Sequence, residues 1–367
     1  MNILYLTNHL NTGGITSYLL TLAGALKQNG HNVYLASSGG ELLERFLEKG
    51  IKFIPIPVRT KSEASPGVMI SFFKLQVRLK EYRIELIHAN TRVTQVLACL
   101  LAGSSGRPYV STCHGFFKKR FSRLVFPCWG KKVIAISSQV KEHLVNDFNL
   151  PEDKIRVIHN GIDAIRFRER RTENGEQRKR SLGLDNGPLV GIIARLSEVK
   201  GHIYLIEAMS EVIKRVPEAQ LLIVGEGRIQ KDLESLINRL GIGRKVKIIP
   251  SVEDTAGVLS IIDVFVMPSL QEGLGLGLME AMACGCAVVA TNVGGMKTLI
   301  QDGENGLLVE AKDAGGLAVK IIDLLTDAGK RASLGKNARD FISGNFSQEK
   351  MAGETERLYE ECVKTDF

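Results

Sequence analysis

Two carboxylates, Glu272 and Glu280, flank a run made only of Gly, Leu and Met within residues 269–291. A run that apolar belongs in an interior, where two charges without partners are costly. The conflict resolves if one end of the segment faces a ligand. Carboxylates accept hydrogen bonds in pairs, which suits the neighbouring hydroxyls of a sugar or a ribose. Gly273 and Gly275 allow the main chain to approach a ligand closely, and a helix starting there offers unpaired N–H groups to an anion. Glu272 is expected in a loop after a predicted strand at 264–268, and Glu280 about two turns into the next helix.

Other strand ends carry complementary chemistry. Arg195 and Lys200 follow a predicted strand at 188–194. Two cations there can neutralise a departing diphosphate. Gly13 and Gly14 lie between the first predicted strand and a helix, where main-chain N–H groups can meet a phosphate. Gly225, in the turn Val224-Gly-Glu-Gly-Arg228, can approach a base or phosphate, or simply shape a strand–helix turn. His114 ends a strand at 109–112 and precedes Gly115, a place where a strand-end ligand would lie. His9 and His88 also stand near strand ends and rank lower.

Several chemistries lack their signatures. Asp-x-Asp, HExxH, GxSxG and GxxxxGK[ST] do not occur, so no metal site, zincin, serine hydrolase or P-loop is expected. The six cysteines show no CxxC spacing and read as reduced thiols of a cytoplasmic protein. The N-terminus reads as a strand, not a signal peptide.

The net charge is +8, and its distribution matters more than its sum. No acid occurs between Glu85 and Glu142, and Phe116–Lys132 interleaves six basic residues with five aromatic ones. That mixture suits the headgroup region of an anionic membrane, so peripheral attachment to the inner face of the cytoplasmic membrane is expected. No nucleic-acid-binding pattern accompanies the charge, and nucleic acid is not expected as a partner.

The elements that must position these groups follow from periodicity. Short apolar runs at 2–6, 31–36, 52–56, 86–88, 109–112 and 133–137 alternate with amphipathic stretches. A second series runs through 188–194, 219–224, 246–249, 264–267 and 287–290. Strand and helix in alternation predict βαβ units and parallel sheets. The fold class is therefore α/β, with two Rossmann-like domains whose parallel sheets face across a cleft. The expected boundaries are 1–163, a polar linker at 164–184, and 185–346. A C-terminal helix at about 347–367 is expected to pack back onto the first domain.

Taken together, the motifs resemble those of the retaining glycosyltransferases of family 4, which have the GT-B architecture. They are Gly13-Gly14, Cys113-His-Gly115, Asn160-Gly-Ile-Asp163, Ala194-Arg-Leu with Lys200-Gly201, Gly225-Glu-Gly227, Glu272 through Gly285, and Val293-Gly-Gly295. The resemblance implies that Glu272 holds donor-sugar hydroxyls and Glu280 the ribose diol. It also implies that Arg195 and Lys200 grip the diphosphate, His114 approaches the donor sugar near the reacting centre, and the Gly14 amide faces phosphate. Leu274 and Gly275 would offer backbone groups to the donor. The implied substrates are a nucleotide-sugar donor and a glycan or lipid-linked acceptor, with no metal and no cofactor. A same-fold enzyme acting on a soluble sugar or sugar phosphate, such as a sucrose- or trehalose-type synthase or a nucleotide-sugar epimerase, is the alternative. One departure stands out. Where the family has Gly-Gly-x-Pro-Glu, this chain reads Gly294-Gly-Met-Lys-Thr298, in which Thr298 can supply a helix cap in place of the acid.

Overall fold

The computed structural model describes residues 1–169 and 175–364. They form two compact units. One is Met1–Gly161 with the C-terminal helix Gln348–Lys364, and the other is Ile162–Ser347.

In the first unit the described strands are β1 (Asn2–Leu6), β2 (Asn32–Ser37), β3 (Lys52–Pro55), β4 (Leu86–Ala89), β5 (Tyr109–Cys113), β6 (Lys132–Ala135) and β7 (Ile155–Val157). They pair in parallel in the order β3-β2-β1-β4-β5-β6-β7. In the second unit β8 (Leu189–Ile193), β9 (Gln220–Val224), β10 (Val246–Ile249), β11 (Val264–Met267), β12 (Ala287–Thr291) and β13 (Leu307–Val309) pair in parallel as β10-β9-β8-β11-β12-β13. Both are doubly wound. The strand order reverses between β1 and β4 in one sheet and between β8 and β11 in the other, and ligands bind such sheets beyond the strand carboxyl ends at that reversal.

Helices cover both faces of each sheet, so central strands read as unbroken apolar runs instead of alternating ones. Ile3 to Leu6 and Leu221 to Val224 are fully buried. Pro55 ends the edge strand β3, where its missing N–H breaks no central ladder. Two strands were not predicted, β7 and β13. Each is three residues long and carries too little pattern to register.

The C-terminal helix joins the first core through Met351, Leu358 and Tyr359, beside Ile3, Tyr5 and Leu22. A buried polar chain fixes it there. The Tyr359 hydroxyl lies 2.7 Å from that of Tyr5 and 2.5 Å from His88 Nδ1. His88 Nε2 lies 2.7 Å from Thr112 Oγ1, which is 3.2 Å from the Tyr18 hydroxyl. Unpaired polar groups at these depths would be destabilising, so the chain specifies one seating of the helix.

The expected polar linker is built differently. Residues 170–174 of it lie outside the described residues, but the flanking parts belong to the second unit. The helix Ala164–Glu169 buries Phe167 close to Cys284. In the helix Gly175–Ser181, Arg178 donates to Gly257 O at 3.0 Å and to Ser260 Oγ at 3.2 Å. Dense charge disguised this stretch, because its few inward residues, Phe167 and Leu184, carry no periodicity.

The aromatic-basic segment is also only partly as expected. Trp129 is buried, and the Arg123 guanidinium lies over the rings of Phe117 and Trp129 at 4.3 and 4.9 Å. Exposure is concentrated between Lys118 and Pro127, so Phe116–Lys132 does not present one continuous surface.

Candidate active site

The second unit brings several predicted residues together at its strand reversal. After β8 the chain runs Ala194 to Gly201, and after β11 it runs Pro268 to Gly275. Three contacts tie these loops. Leu270 N donates to Val199 O at 2.8 Å. Gly201, at φ 67°, sits so close to Pro268 that a Cβ would stand 1.9 Å from the Pro268 oxygen. Lys200 Nζ forms an ion pair with Glu272 Oε2. Ser269 Oγ donates to the same Oε2 at 3.3 Å. No described residue bonds Oε1, so that oxygen remains to accept from a ligand.

Arg195 stands on the same loop, exposed, and makes no ion pair with a described residue. The two predicted cations are therefore not equivalent, since one is neutralised within the protein. His202, next along from Gly201, is buried; burial and then the Lys200 charge push its imidazole down to about 4, so it stays neutral.

The predicted glycines have separate reasons. A Cβ on Gly225 would meet Ala194 O at 2.1 Å, so this turn braces the start of the Arg195 loop. Close backbone packing accounts for that residue without a ligand. Gly275 (φ 91°) is the N-cap of the helix Leu276–Cys284 and gives it no side-chain cap, and the first turn holds no acid. Its leading N–H groups lack a side-chain partner, which favours an anion. Gly273 and Leu274 are buried, and Leu274 points its side chain inward. Glu280 is the fifth residue of that helix, a little over one turn in and not two, and is half-buried.

Behind Glu272 lies the departure from the family pattern. A Cβ on Gly294 (φ 48°) would stand 2.0 Å from Glu272 O, and Gly295 N donates to the same oxygen at 3.2 Å. The Gly pair thus clamps the Glu272 main chain. Thr298 does not cap the following turn, Met296–Leu299. Gly295 is its N-cap, without a side-chain bond, and Thr298 lies inside the turn.

In the first unit, Gly13 caps the helix Gly14–Gln28 with no side-chain bond and no acid in its first turn. A Cβ on Gly13 or Gly14 would meet nothing within 4 Å. His114 follows β5. Its Nε2 lies 3.2 Å from Asn90 Oδ1, and its ring meets that of Tyr18 edge-on at 4.8 Å. With Asn90 Oδ1 accepting, Nε2 carries the proton and Nδ1 remains an acceptor. Burial pushes its pKa down to about 3, so near neutral pH His114 is an uncharged hydrogen-bonding group and no imidazolium acid. His88 is a core residue of the polar chain, and His9 bonds locally to Asn11 N.

Asn90, Tyr18 and Ser269 were missed. Asn90 and Ser269 are polar residues just beyond β4 and β11, at the strand reversals, and that position is the signal that would have found them.

Two family models divide this chain between them. Residues 12–166 match "Glycosyltransferase Family 4" and residues 174–341 match "Glycosyl transferases group 1". The chain belongs to this glycosyltransferase family. An uncharacterised glycosyltransferase of Methanocaldococcus jannaschii is 29% identical, over 95% of this chain and 94% of its own length. The UDP-Gal:alpha-D-GlcNAc-diphosphoundecaprenol alpha-1,3-galactosyltransferase of Escherichia coli is 25% identical, over 88% and 87%. A crystal structure of a glycosyltransferase from Rickettsia africae superposes with a TM-score of 0.84 at 25% identity, over 99% of this chain and 98% of that one. The architecture is GT-B, two Rossmann-like units with parallel sheets, and the activity class is glycosyl transfer.

Proposed function

We propose that this glycosyltransferase moves a hexose, with retention, from a nucleotide-diphosphate sugar to a lipid-linked or cell-envelope glycan at the cytoplasmic face of the membrane. The observation that supports this best is the Lys200–Glu272 pair, with Glu272 Oε1 left to accept. Lys200 has three donors and the pair occupies one, so the same ammonium can also meet a diphosphate. It thereby links the group that holds sugar hydroxyls to the group that holds the leaving phosphate.

In this reading Arg195 and Lys200 stabilise charge as the anomeric C–O bond breaks and the nucleoside diphosphate leaves with the electron pair. The acceptor oxygen bonds to the same face of the anomeric carbon, and its proton passes to the departing phosphate oxygen. Glu272 binds sugar hydroxyls and is no nucleophile. Glu280 holds the ribose diol, Gly13 and Gly14 amides face phosphate, and Gly273, Leu274 and Gly275 offer main-chain groups. Gly225 shapes the Arg195 loop. His114, neutral, accepts a sugar hydroxyl at Nδ1. No divalent metal takes part. The lipid-linked substrate printed in the name of the Escherichia coli relative favours an acceptor of that class.

The test is nucleoside diphosphate release from UDP-, GDP- and ADP-sugars, with and without membrane lipid extract, against Glu280→Ala. Release from one donor, dependent on Glu280, unaffected by EDTA and enhanced by lipid, supports the reading. A glycosylated Glu272 peptide in the mass spectrum would overturn the front-face path, and no release from any donor would overturn the whole.

A further inference from the structure

Thirteen large apolar side chains are prominently exposed among the described residues, and eight of them fall on two short stretches of the first unit. Chance scatter over the surface would not gather them so.

The first stretch is the helix Pro66–Glu81. Val68, Ser71, Leu75 and Leu79 are buried on one face. Met69, Ile70, Phe73 and Val77 form a second stripe on the opposite face, with Phe73 62% exposed. A helix on a water-facing surface has one apolar stripe, and this one has two.

The second stretch is the helix Phe121–Val125, and its polarity is inverted. Its cation, Arg123, is buried over Phe117 and Trp129, while Phe121 (80% exposed), Leu124, Val125 and the adjoining Phe126 face outward. Burial pushes the Arg123 pKa down to about 10, a cost the fold accepts to present the apolar side.

The two stretches are clipped together. Arg92 donates to Phe126 O and Pro127 O at 2.7 Å and to the Glu63 carboxylate at 2.8 Å. Ser122 Oγ reaches the other Glu63 oxygen at 3.3 Å. Glu63 stands just before Pro66, so the start of one helix is held to the other.

The nearby charges are cationic. Lys74 and Lys80 lie on the first helix, and Lys118 and Arg120 precede the second, all exposed. The acids Glu63 and Glu81 are paired with Arg92 and Arg78.

We propose that the outer faces of these two helices form one docking surface for an anionic phospholipid bilayer. Apolar side chains ringed by Lys and Arg match the acyl boundary and the negative headgroups of such a membrane. The proposal deepens the membrane-face reading above by naming the surface that makes the contact.

The experiment is flotation of the full chain with vesicles of phosphatidylcholine alone or with a third phosphatidylglycerol. Phe73→Ser/Val77→Ser and Phe121→Ser/Val125→Ser are compared with the unaltered chain. These four side chains are exposed, and a thermal melt verifies that each variant folds. Binding to the anionic vesicles that weakens with salt, and that either pair reduces at least tenfold, is expected. Equal flotation on both vesicle types, no flotation at low salt, or unchanged flotation of either pair would overturn the proposal. So would a dimer by light scattering that either pair splits, because the face would then belong to a second copy. Nucleoside diphosphate release from donor, measured on the same samples, separates the two claims. Vesicle binding by a protein that releases no nucleoside diphosphate from any donor, even with membrane lipid extract added as acceptor source, would sink the transfer reading and leave the surface standing.

Discussion

Replacing Lys200 and Arg195 one at a time separates two cations that the sequence alone treats alike. Lys200 is paired with Glu272, with side chains 21% and 13% exposed. Breaking a fully buried pair costs about 3–5 kcal/mol, and an exposed one contributes about 0–1. This pair lies between, so Lys200→Ala should cost ~1–3 kcal/mol by stranding the Glu272 carboxylate. At roughly 2–4 °C per kcal/mol for a unit of this size, the Tm should fall by about 2–12 °C. Arg195 is exposed without an ion pair to a described residue, so Arg195→Ala should stay within about 0.5 kcal/mol of the parent. For binding the two should converge. Each loses a charge-assisted hydrogen bond to the diphosphate worth about 1.5–3 kcal/mol, or roughly 10- to 150-fold in Kd. Calorimetric titration with the nucleoside diphosphate of the active donor, beside scanning calorimetry of the empty protein, measures both. The double variant Lys200→Ala/Glu272→Ala removes the stranded charge and should recover part of the lost stability. Equal Tm losses for Lys200→Ala and Arg195→Ala, or nucleoside diphosphate binding unchanged in either, would refute the reasoning.

Further expectations concern the supports of the site. Gly294→Ala places a Cβ at positive φ against Glu272 O, so it should weaken donor turnover at least tenfold although residue 294 is assigned no donor contact. A steady-state kcat/KM within twofold of the parent would argue against the clamp. Tyr359→Phe leaves Tyr5 and His88 short of a buried partner and should cost ~1–3 kcal/mol in denaturant unfolding of the full chain. The pH dependence follows from His88, whose pKa burial pushes down from 6.5 to about 3. The folded state then binds fewer protons than the unfolded chain, so stability is fully present above pH 6.5 and falls as pH drops toward 3. Between pH 6.5 and 4.5 the loss from this residue should be ~2–3 kcal/mol, and His88→Gln should flatten that slope in thermal melts.

How much of this was legible in the chain depended on where the signal lay. Central strands were readable because burial on both faces forces continuous apolar runs, as at Leu221–Val224. Glu272, Arg195 and Lys200 were readable because charge beside a strand end or in an apolar run conflicts with simple burial. What escaped was pairing. Nothing in the spacing of Lys200 and Glu272 tells that one cancels the other, because their meeting depends on β8 and β11 being neighbours in the sheet. Asn90 escaped for the same reason, since its bond to His114 spans adjacent strands β4 and β5.

The helix Pro66–Glu81 escaped for a different reason, and that reason bears on function. A helix with one buried face announces itself by a 3.6-residue period, whereas a second apolar stripe on the far side blurs it. The same property that hid this helix from periodicity leaves Phe73 and Val77 in water. The nearby segment misled in the opposite sense. Its composition suggested a membrane contact along all of Phe116–Lys132, yet Trp129 and Arg123 are consumed by packing. Composition singled out a segment, and only burial distinguished the side chains that hold it in place from those left exposed. For that reason the decisive substitutions are Phe73, Val77, Phe121 and Val125, and not the aromatic and basic residues that first drew notice.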